Sequence, residues 1–202
     1  WEQKLNEVPN KITKMSKAEI LRNNPQTSAD LLNQTGTVFI QKSQLGGGSP
    51  MIRGFATNRI LLVIDGVRMN NAIYRSGNLQ NIISIDALSI QTAEVIFGPG
   101  SLVYGSDAIG GVMDFHTLNA GFAKEKKIQV SGNALARYSS ANKENTFHAD
   151  INLGSKKWSF LSSITYSKFD DLKMGKHGGQ ESYLRPEYVE RINGNDSIVK
   201  NK

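Results

Sequence analysis

The 202-residue sequence contains no cysteine. That excludes a disulfide-held scaffold, a thiolate metal site and a cysteine nucleophile. It also lacks any run of about 18 apolar residues, so no helix is apolar for long enough to span a bilayer. Residues 1–10 hold none of the apolar core that an export signal carries. Histidine is scarce: His116, His148 and His177 lie about thirty residues apart, none with a second ligand at metal-site spacing. His116 falls two residues from Asp114, which puts both on one face of a strand, a polar face rather than a ligand pair. Gly98-Pro99-Gly100 is followed by a glycine at 105 instead of 103, so the dinucleotide fingerprint fails. No Gly-Lys-Ser/Thr closes a glycine loop, and neither Ser101 nor Ser106 makes Gly-x-Ser-x-Gly. No catalytic residue and no metal site are assigned, and the chain reads as a non-enzyme without a cofactor of its own.

What is present divides in two. The net charge is +6, but residues 1–119 hold ten Lys+Arg against nine Asp+Glu, and residues 120–202 hold fourteen against nine. Seven aromatic residues fall in the first part and nine in the shorter second part. The basic excess permits a nucleic-acid partner, yet the aromatics after residue 120 sit in period-two strands rather than on a stacking platform, so no such partner is expected.

The first part reads as a small mixed α+β domain with long polar loops. Residues 16–34 are helical in pattern. Asn23-Asn24-Pro25 stops a first helix, and Thr27 or Ser28 caps a second. Residues 38–40 read as a strand, and residues 43–50 (Ser-Gln-Leu-Gly-Gly-Gly-Ser-Pro) as a flexible loop. Residues 60–64 (Ile-Leu-Leu-Val-Ile) form a continuous apolar run before Asp65-Gly66, as in a strand covered on both faces that ends in a tight turn. Residues 69–79 read as a polar loop, and residues 93–97 and 112–115 as two short strands. Glycines 98, 100, 105, 110 and 111 lie between those strands, where the backbone must turn sharply or approach closely.

These residues carry a family resemblance. Met51-Ile52-Arg53-Gly54-Phe55, and residues 60–66 with Val67-Arg68, resemble the plug domain of TonB-dependent outer-membrane receptors. So do residues 94–101 (Glu-Val-Ile-Phe-Gly-Pro-Gly-Ser) and residues 104–112 (Tyr-Gly-Ser-Asp-Ala-Ile-Gly-Gly-Val). The order and spacing of these blocks match throughout residues 16–117. The block at residues 74–81 (Tyr-Arg-Ser-Gly-Asn-Leu-Gln-Asn) is similar to the haem, haemoglobin and siderophore branch. The resemblance implies a domain seated inside a β-barrel, polar on its outside, whose isolated charges pair with the inner barrel wall. Arg53, Glu94 and Arg68, each beside an apolar strand segment, are the candidates. It also implies ligand contact on outward loops, with Gln44, Leu45, Asn70, Asn71, Tyr74 and Arg75 as candidates. Tyr74 offers a flat ring and a hydroxyl, and Arg75 a fork for a carboxylate or catecholate.

After residues 124–127 (Lys-Glu-Lys-Lys) the period becomes two. Ile128, Val130, Gly132, Ala134, Ala136 and Tyr138 share one face, with Arg137 on the other. Phe147, Ala149, Ile151 and Leu153 alternate with Thr146, His148, Asp150 and Asn152. Trp158, Phe160, Ser162, Ile164 and Tyr166 alternate with Ser159, Leu161, Ser163, Thr165 and Ser167. Each segment spans about nine to eleven residues, the length of a tilted transmembrane strand. Trp158 and Tyr166 bracket their strand as an aromatic girdle does. The apolar face is thin in bulk, and Arg137, His148 and Asp150 on the other face have no obvious shell. A short turn at residues 154–157 and a long polar stretch from Asp170 set a periplasmic and an outward end. Residues 188–199 are again similar to early-barrel sequence.

The expectation is therefore an α+β plug followed by antiparallel strands of an incomplete transmembrane β-barrel. Residues 1–15 form an extension, 16–119 the plug, 120–127 a linker and 128–202 the first strands and loops. Three strands cannot close a barrel, and open edges are not tolerated in lipid, so the sequence reads as a piece of a longer receptor. The function implied by the resemblance is energy-coupled import through the outer membrane of a Gram-negative cell. The transported ligand would be an iron chelate, haem or a corrinoid, and the partners the TonB complex and outer-membrane lipid. A TonB-coupling segment is not recognisable before residue 16. His177 reads as a solvated loop histidine, although it could reach haem from an outer loop. The alternative is a soluble α+β ligand- or protein-binding module with β-hairpins.

Overall fold

The structure is a computed structural model that describes residues 10–42, 48–56, 59–69, 82, 84–125, 128–170 and 186–200. Its first strand, β1 (Ile12–Ser16), runs straight into helix α1 (Lys17–Asn23). Ser16 makes that junction, because its hydroxyl accepts from the Glu19 amide while the Glu19 carboxylate accepts from the Ser16 amide at 2.8 Å, a reciprocal capping box. Asn24 then ends α1 in the left-handed region, at φ 45°, and Pro25 prevents continuation. Thr27 and Asp30 make a second capping box for α2 (Ser28–Asn33), so the expected Thr27 cap is the one present.

Strands β2 (Phe39–Lys42), β3 (Gly48–Ile52) and β4 (Phe55–Ala56) form a small antiparallel sheet. The flexible loop expected over residues 43–50 is corrected here at its end: Gly48, Ser49 and Pro50 are strand, and residues 43–47 lie outside the described set. The reason is steric. A Cβ on Gly48 would lie 2.7 Å from the Ala29 Cβ, so this glycine lets a strand approach α2 closely.

Strands β5 (Ile60–Ile64), β6 (Val67–Arg68), β7 (Ile90–Phe97) and β8 (Gly111–Thr117) build the main sheet with β1, in the order β1-β7-β8-β5-β6. A 3-10 turn, Ala87–Ser89, precedes β7, and a short helix α3 (Ser101–Tyr104) lies between β7 and β8. β5 and β8 are parallel, and the other pairs are antiparallel. Residues 60–63 of β5 are at most 2% exposed, so the apolar run is covered on both faces as expected. One face packs Ile60, Leu62, Val95, Met113 and Phe115 against Ile20 of α1 and Leu31 and Leu32 of α2. The other packs Leu61, Val63, Ile96 and Val112 under Ala108 and Tyr104. Asp65, at φ 48°, and Gly66, at φ 80°, make the tight turn into β6.

Three long strands follow: β9 (Gln129–Ser139), β10 (Glu144–Gly154) and β11 (Ser159–Lys168), in the order β11-β10-β9. A separate hairpin pairs β12 (Glu187–Ile192) with β13 (Asn195–Lys200) around Asn193-Gly194, both at positive φ. The alternation read from the sequence survives in register. Phe147 stands between Ala136 and Tyr166, Ala149 between Ala134 and Ile164, and Leu153 between Val130 and Phe160. That face is exposed. The opposite face is turned toward the α+β domain, and Glu144, Thr146, His148 and Asp150 on it are each at most 9% exposed.

Candidate functional site: a polar seam between two sheets

The alternation of β10 puts Glu144, Thr146, His148, Asp150 and Asn152 in one row. Each side chain in this row meets polar atoms, and hydrogen bonds from the row and its neighbours cross to the α+β domain or the segment that leaves it.

At one end, Arg137 of β9 grips the α1–α2 connection. Its guanidinium donates to Asn24 Oδ1 at 3.0 Å and to the Pro25 carbonyl at 2.8 Å. The same group donates to Glu144 Oε1 from Nε at 3.1 Å and from Nη2 at 2.6 Å. The Gln26 amide donates to the other oxygen of Glu144. The break that Asn24 and Pro25 impose on α1 is therefore what presents two acceptors to Arg137 of β9.

In the middle, Asp150 accepts from Lys17 Nζ at 3.3 Å, in the first turn of α1, and from Asn133 Nδ2 at 3.0 and 3.1 Å. Beside it, Thr165 of β11 donates to Asp86 Oδ2 at 2.6 Å, and His148 Nδ1 lies 2.6 Å from the same hydroxyl. Asp86 is the cap of the 3-10 turn. It accepts from the Leu88 amide at 3.0 Å and from the Ser89 hydroxyl at 2.6 Å, and Ser89 in turn meets Ser163 at 3.0 Å. At the far end, the Asn152 amide pairs with both backbone groups of Gly121, at 3.0 and 3.1 Å, on the segment leading out of β8.

The seam hydroxyl that lies beside a histidine, that of Thr165, gives its proton to the Asp86 carboxylate, so the seam is built of paired groups. Among the described residues no cluster of three His, Cys, Asp or Glu side chains can hold a metal ion. Its chemistry is adhesion. Every bond in it is one that water can replace, at a net cost of about 1 kcal/mol for a neutral hydrogen bond and more for a charged one. The seam joins the two sheets through hydrogen bonds and ion pairs.

The charges expected to pair with a barrel wall have partners within the α+β domain. Glu94 is bridged by Lys14 at 2.9 Å, and Arg68 by Asp107 at 3.0 Å. The Arg53 guanidinium lies 5.5 Å from the centre of the Phe97 ring, with Lys11 Nζ at 5.6 Å, a pair of cation–π contacts. Gln44, Leu45, Asn70, Asn71, Tyr74, Arg75 and His177 lie outside the described residues. Lys17, Asp86, Gln26 and Glu144 were missed. In the sequence the signal for Arg137, His148 and Asp150 is that they stand as polar residues without a shell; their partners are far away in sequence.

One further group is chemically unusual. Asp114 faces Glu94 across β7 and β8, and its Oδ1 is buried and makes no hydrogen bond among the described residues. Burial pushes its carboxyl above the ordinary aspartate range; His116, at 3.7 Å, pulls it back and Glu94 adds to the rise. Burial likewise raises the Tyr104 hydroxyl, helped by the charges of Asp114 and Glu94.

Comparison with known proteins agrees on the fold. Residues 4–112 match the family described as the TonB-dependent receptor plug domain. The vitamin B12 transporter BtuB of Vibrio vulnificus is 36% identical over 141 residues, which are 68% of this chain and 22% of that protein. The heme/hemopexin utilization protein C of Haemophilus influenzae is 38% identical over 113 residues, 53% of this chain and 14% of that one. The chain thus spans about a fifth or less of the curated relatives it matches. Among solved structures, the copper transporter OprC superposes with a TM-score of 0.67 at 18% identity, over 79% of this chain and 24% of that one. The Pseudomonas aeruginosa pyoverdine receptor FpvA superposes with a TM-score of 0.66 at 16% identity, over 80% and 20%. At these identities the likeness is one of fold.

Proposed function

The chain belongs to the TonB-dependent receptor plug family, and from that premise we propose that it supplies the plug and the first wall strands of an active transporter in the bacterial outer membrane. The whole receptor binds a scarce nutrient from outside, a ferric siderophore, haem or a corrinoid. It admits the nutrient when inner-membrane energy, delivered through TonB, rearranges the plug. The observation that carries this reading is the two-faced sheet β9–β11. Its outer face is apolar and exposed, with Val130, Phe160 and Ile164 each more than half exposed. Its inner face is polar and bonded to the plug through the seam. A soluble sheet buries its apolar face; this one buries its polar face, as a wall strand between lipid and a filled lumen does.

Ligand contact is assigned to Gln44, Leu45, Asn70, Asn71, Tyr74 and Arg75. Arg53, Glu94 and Arg68, paired inside the plug in this chain, remain available at its surface to the wall strands that complete a barrel. The test is fractionation of the full-length gene product, followed by uptake of ferric siderophores, haem and cobalamin by cells that carry it as their sole such receptor. The expected result is an outer-membrane protein released only by detergent, with uptake of one nutrient class that Tyr74→Ala and Arg75→Ala weaken. A product that is periplasmic and water-soluble without detergent overturns the transporter reading. Unchanged ligand affinity in both variants overturns the site assignment alone.

A further inference from the structure

The hairpin β12–β13 is built differently from the wall strands before it. Its strands hold six residues each, against eleven, eleven and ten in β9, β10 and β11. At about 3.3 Å per residue, six residues reach about 20 Å. Tilted by about 45°, such a strand rises about 14 Å, while a wall strand has to cross an apolar band of about 25 Å.

Charge separates the two sheets further. On the outer face of β9–β11 the charged residue is Lys168, in the last row, level with Asn145 and Tyr138. In the hairpin, direct pairing sets Glu187 opposite Lys200 and Arg191 opposite Asp196 on one face, around Val189 and Ile198. The other face holds Tyr188 with Val199, Glu190 with Ser197, and Ile192 with Asn195. The Arg191 and Asp196 side chains lie 3.9 Å apart and are 77% and 74% exposed. Each face therefore carries charge along its length, and neither offers the apolar band that acyl chains need.

The pairing agrees with the charges. A next wall strand would run antiparallel to β11, along the edge that β10 leaves free. Among the described residues β12 pairs instead with β13, around the tight turn at Asn193-Gly194. The chain leaves the wall at Asp170. Its amide donates to the Asn142 carbonyl at 2.8 Å, and its carboxylate meets Lys143 at 3.6 Å. Both partners belong to the β9–β10 connection, at the end of the wall opposite residues 154–157.

Resting on the transporter reading above, we propose that β12–β13 stands in water on the outer side of the receptor, as a folded hairpin of the loop that follows β11, and is not a pair of wall strands. Residues 154–157 take the periplasmic end, so Asp170 leads outward. Val189 and Ile198, 65% and 73% exposed and framed by the two charge pairs, then face the medium outside the cell. The charges that keep the hairpin out of lipid also blunt its edges against pairing with other chains.

The lack of cysteine in these 202 residues makes the test direct. Single cysteines are placed in the full-length receptor, with any cysteine elsewhere in it replaced by serine, and intact cells are treated with a membrane-impermeant maleimide. Ser197→Cys and Ile198→Cys report the two faces of the hairpin, and Asn195→Cys its turn. Lys156→Cys marks the periplasmic turn, and Ile164→Cys the lipid face. The three hairpin cysteines are expected to label on intact cells as fully as after the outer membrane is opened. Lys156→Cys is expected to label only after opening, and Ile164→Cys in neither case. Labelling of Asn195→Cys only after opening would put the turn in the periplasm and overturn the proposal. So would labelling confined to one of Ser197→Cys and Ile198→Cys, which would give the hairpin a lipid-covered face. Failure of the transporter reading has a separate signature: in a water-soluble periplasmic product Ile164→Cys also labels once the outer membrane is opened.

Discussion

The residue that most clearly works against the fold it belongs to is Asp114. The native plug holds its carboxyl proton more tightly than the unfolded chain does, because burial disfavours the charged form. The sign follows by linkage. Above the raised native value the ionised group destabilises the plug. As pH falls through that value toward the ordinary 3.8, this group's contribution turns in favour of folding. Asp114→Asn is therefore expected to stabilise the plug at neutral pH and to remove the gain on acidification. Urea unfolding of the plug, followed by a probe on β8 at neutral and acidic pH, measures both. A loss of stability in the variant at neutral pH that disappears at acidic pH would mean that the carboxylate is needed ionised. The sequence did announce that Asp114 and His116 share a strand face. It could not announce that Glu94 stands opposite, because register across β7 and β8 is set by pairings outside either strand. The same limit explains Glu94 and Arg68. Their isolation in sequence was real, yet Lys14 and Asp107 reach them through folding.

Elements were legible where a local signal decides them. The two helices, the Thr27 cap, the apolar β5 and the three period-two strands all follow from patterns within a dozen residues. β1 was not legible. It is five residues long, abuts a helix, and is a strand because β7 pairs with it. Gly48 shows the opposite failure: a glycine run suggested freedom where the structure needs proximity. Its backbone lies against Ala29, and Ile40 Cγ2 would be 3.3 Å from an added Cβ. Gly48→Ala is thus expected to push β3 away from α2 and destabilise the plug by about 1–3 kcal/mol, the usual cost of overpacking. Gly36→Ala offers a contrast, since nothing lies near its Cβ position and only the cost of its φ of 66° applies. Comparing the two in the same unfolding assay separates crowding from backbone strain. A Gly48→Ala plug as stable as the parent would show that the loop reading of this segment was the better one.

At the scale of the whole molecule the seam and the outer face of β9–β11 form one argument, because alternation ties them. A polar row could be buried against the plug only by turning Phe147, Ala149, Ile151 and Leu153 outward. Of the basic residues after residue 120, Arg137 is bound into this seam. Ile164 tests the consequence directly. It is 65% exposed, pairs with Ala149 near the middle of the sheet, and stands five residues after the first and four before the last residue of its ten-residue strand. If lipid covers this face, Ile164→Arg places a guanidinium near the bilayer midplane and costs about 2–4 kcal/mol of barrel stability. If water covers it, the same change is neutral and improves solubility. Folding of the full-length receptor into lipid vesicles, read by the heat-sensitive gel mobility of a closed barrel, distinguishes the two, with Ile164→Val as the apolar control. A folding defect in the arginine variant alone fits a wall in lipid. Equal folding of both variants would put that face in water and remove the main support for a transmembrane sheet.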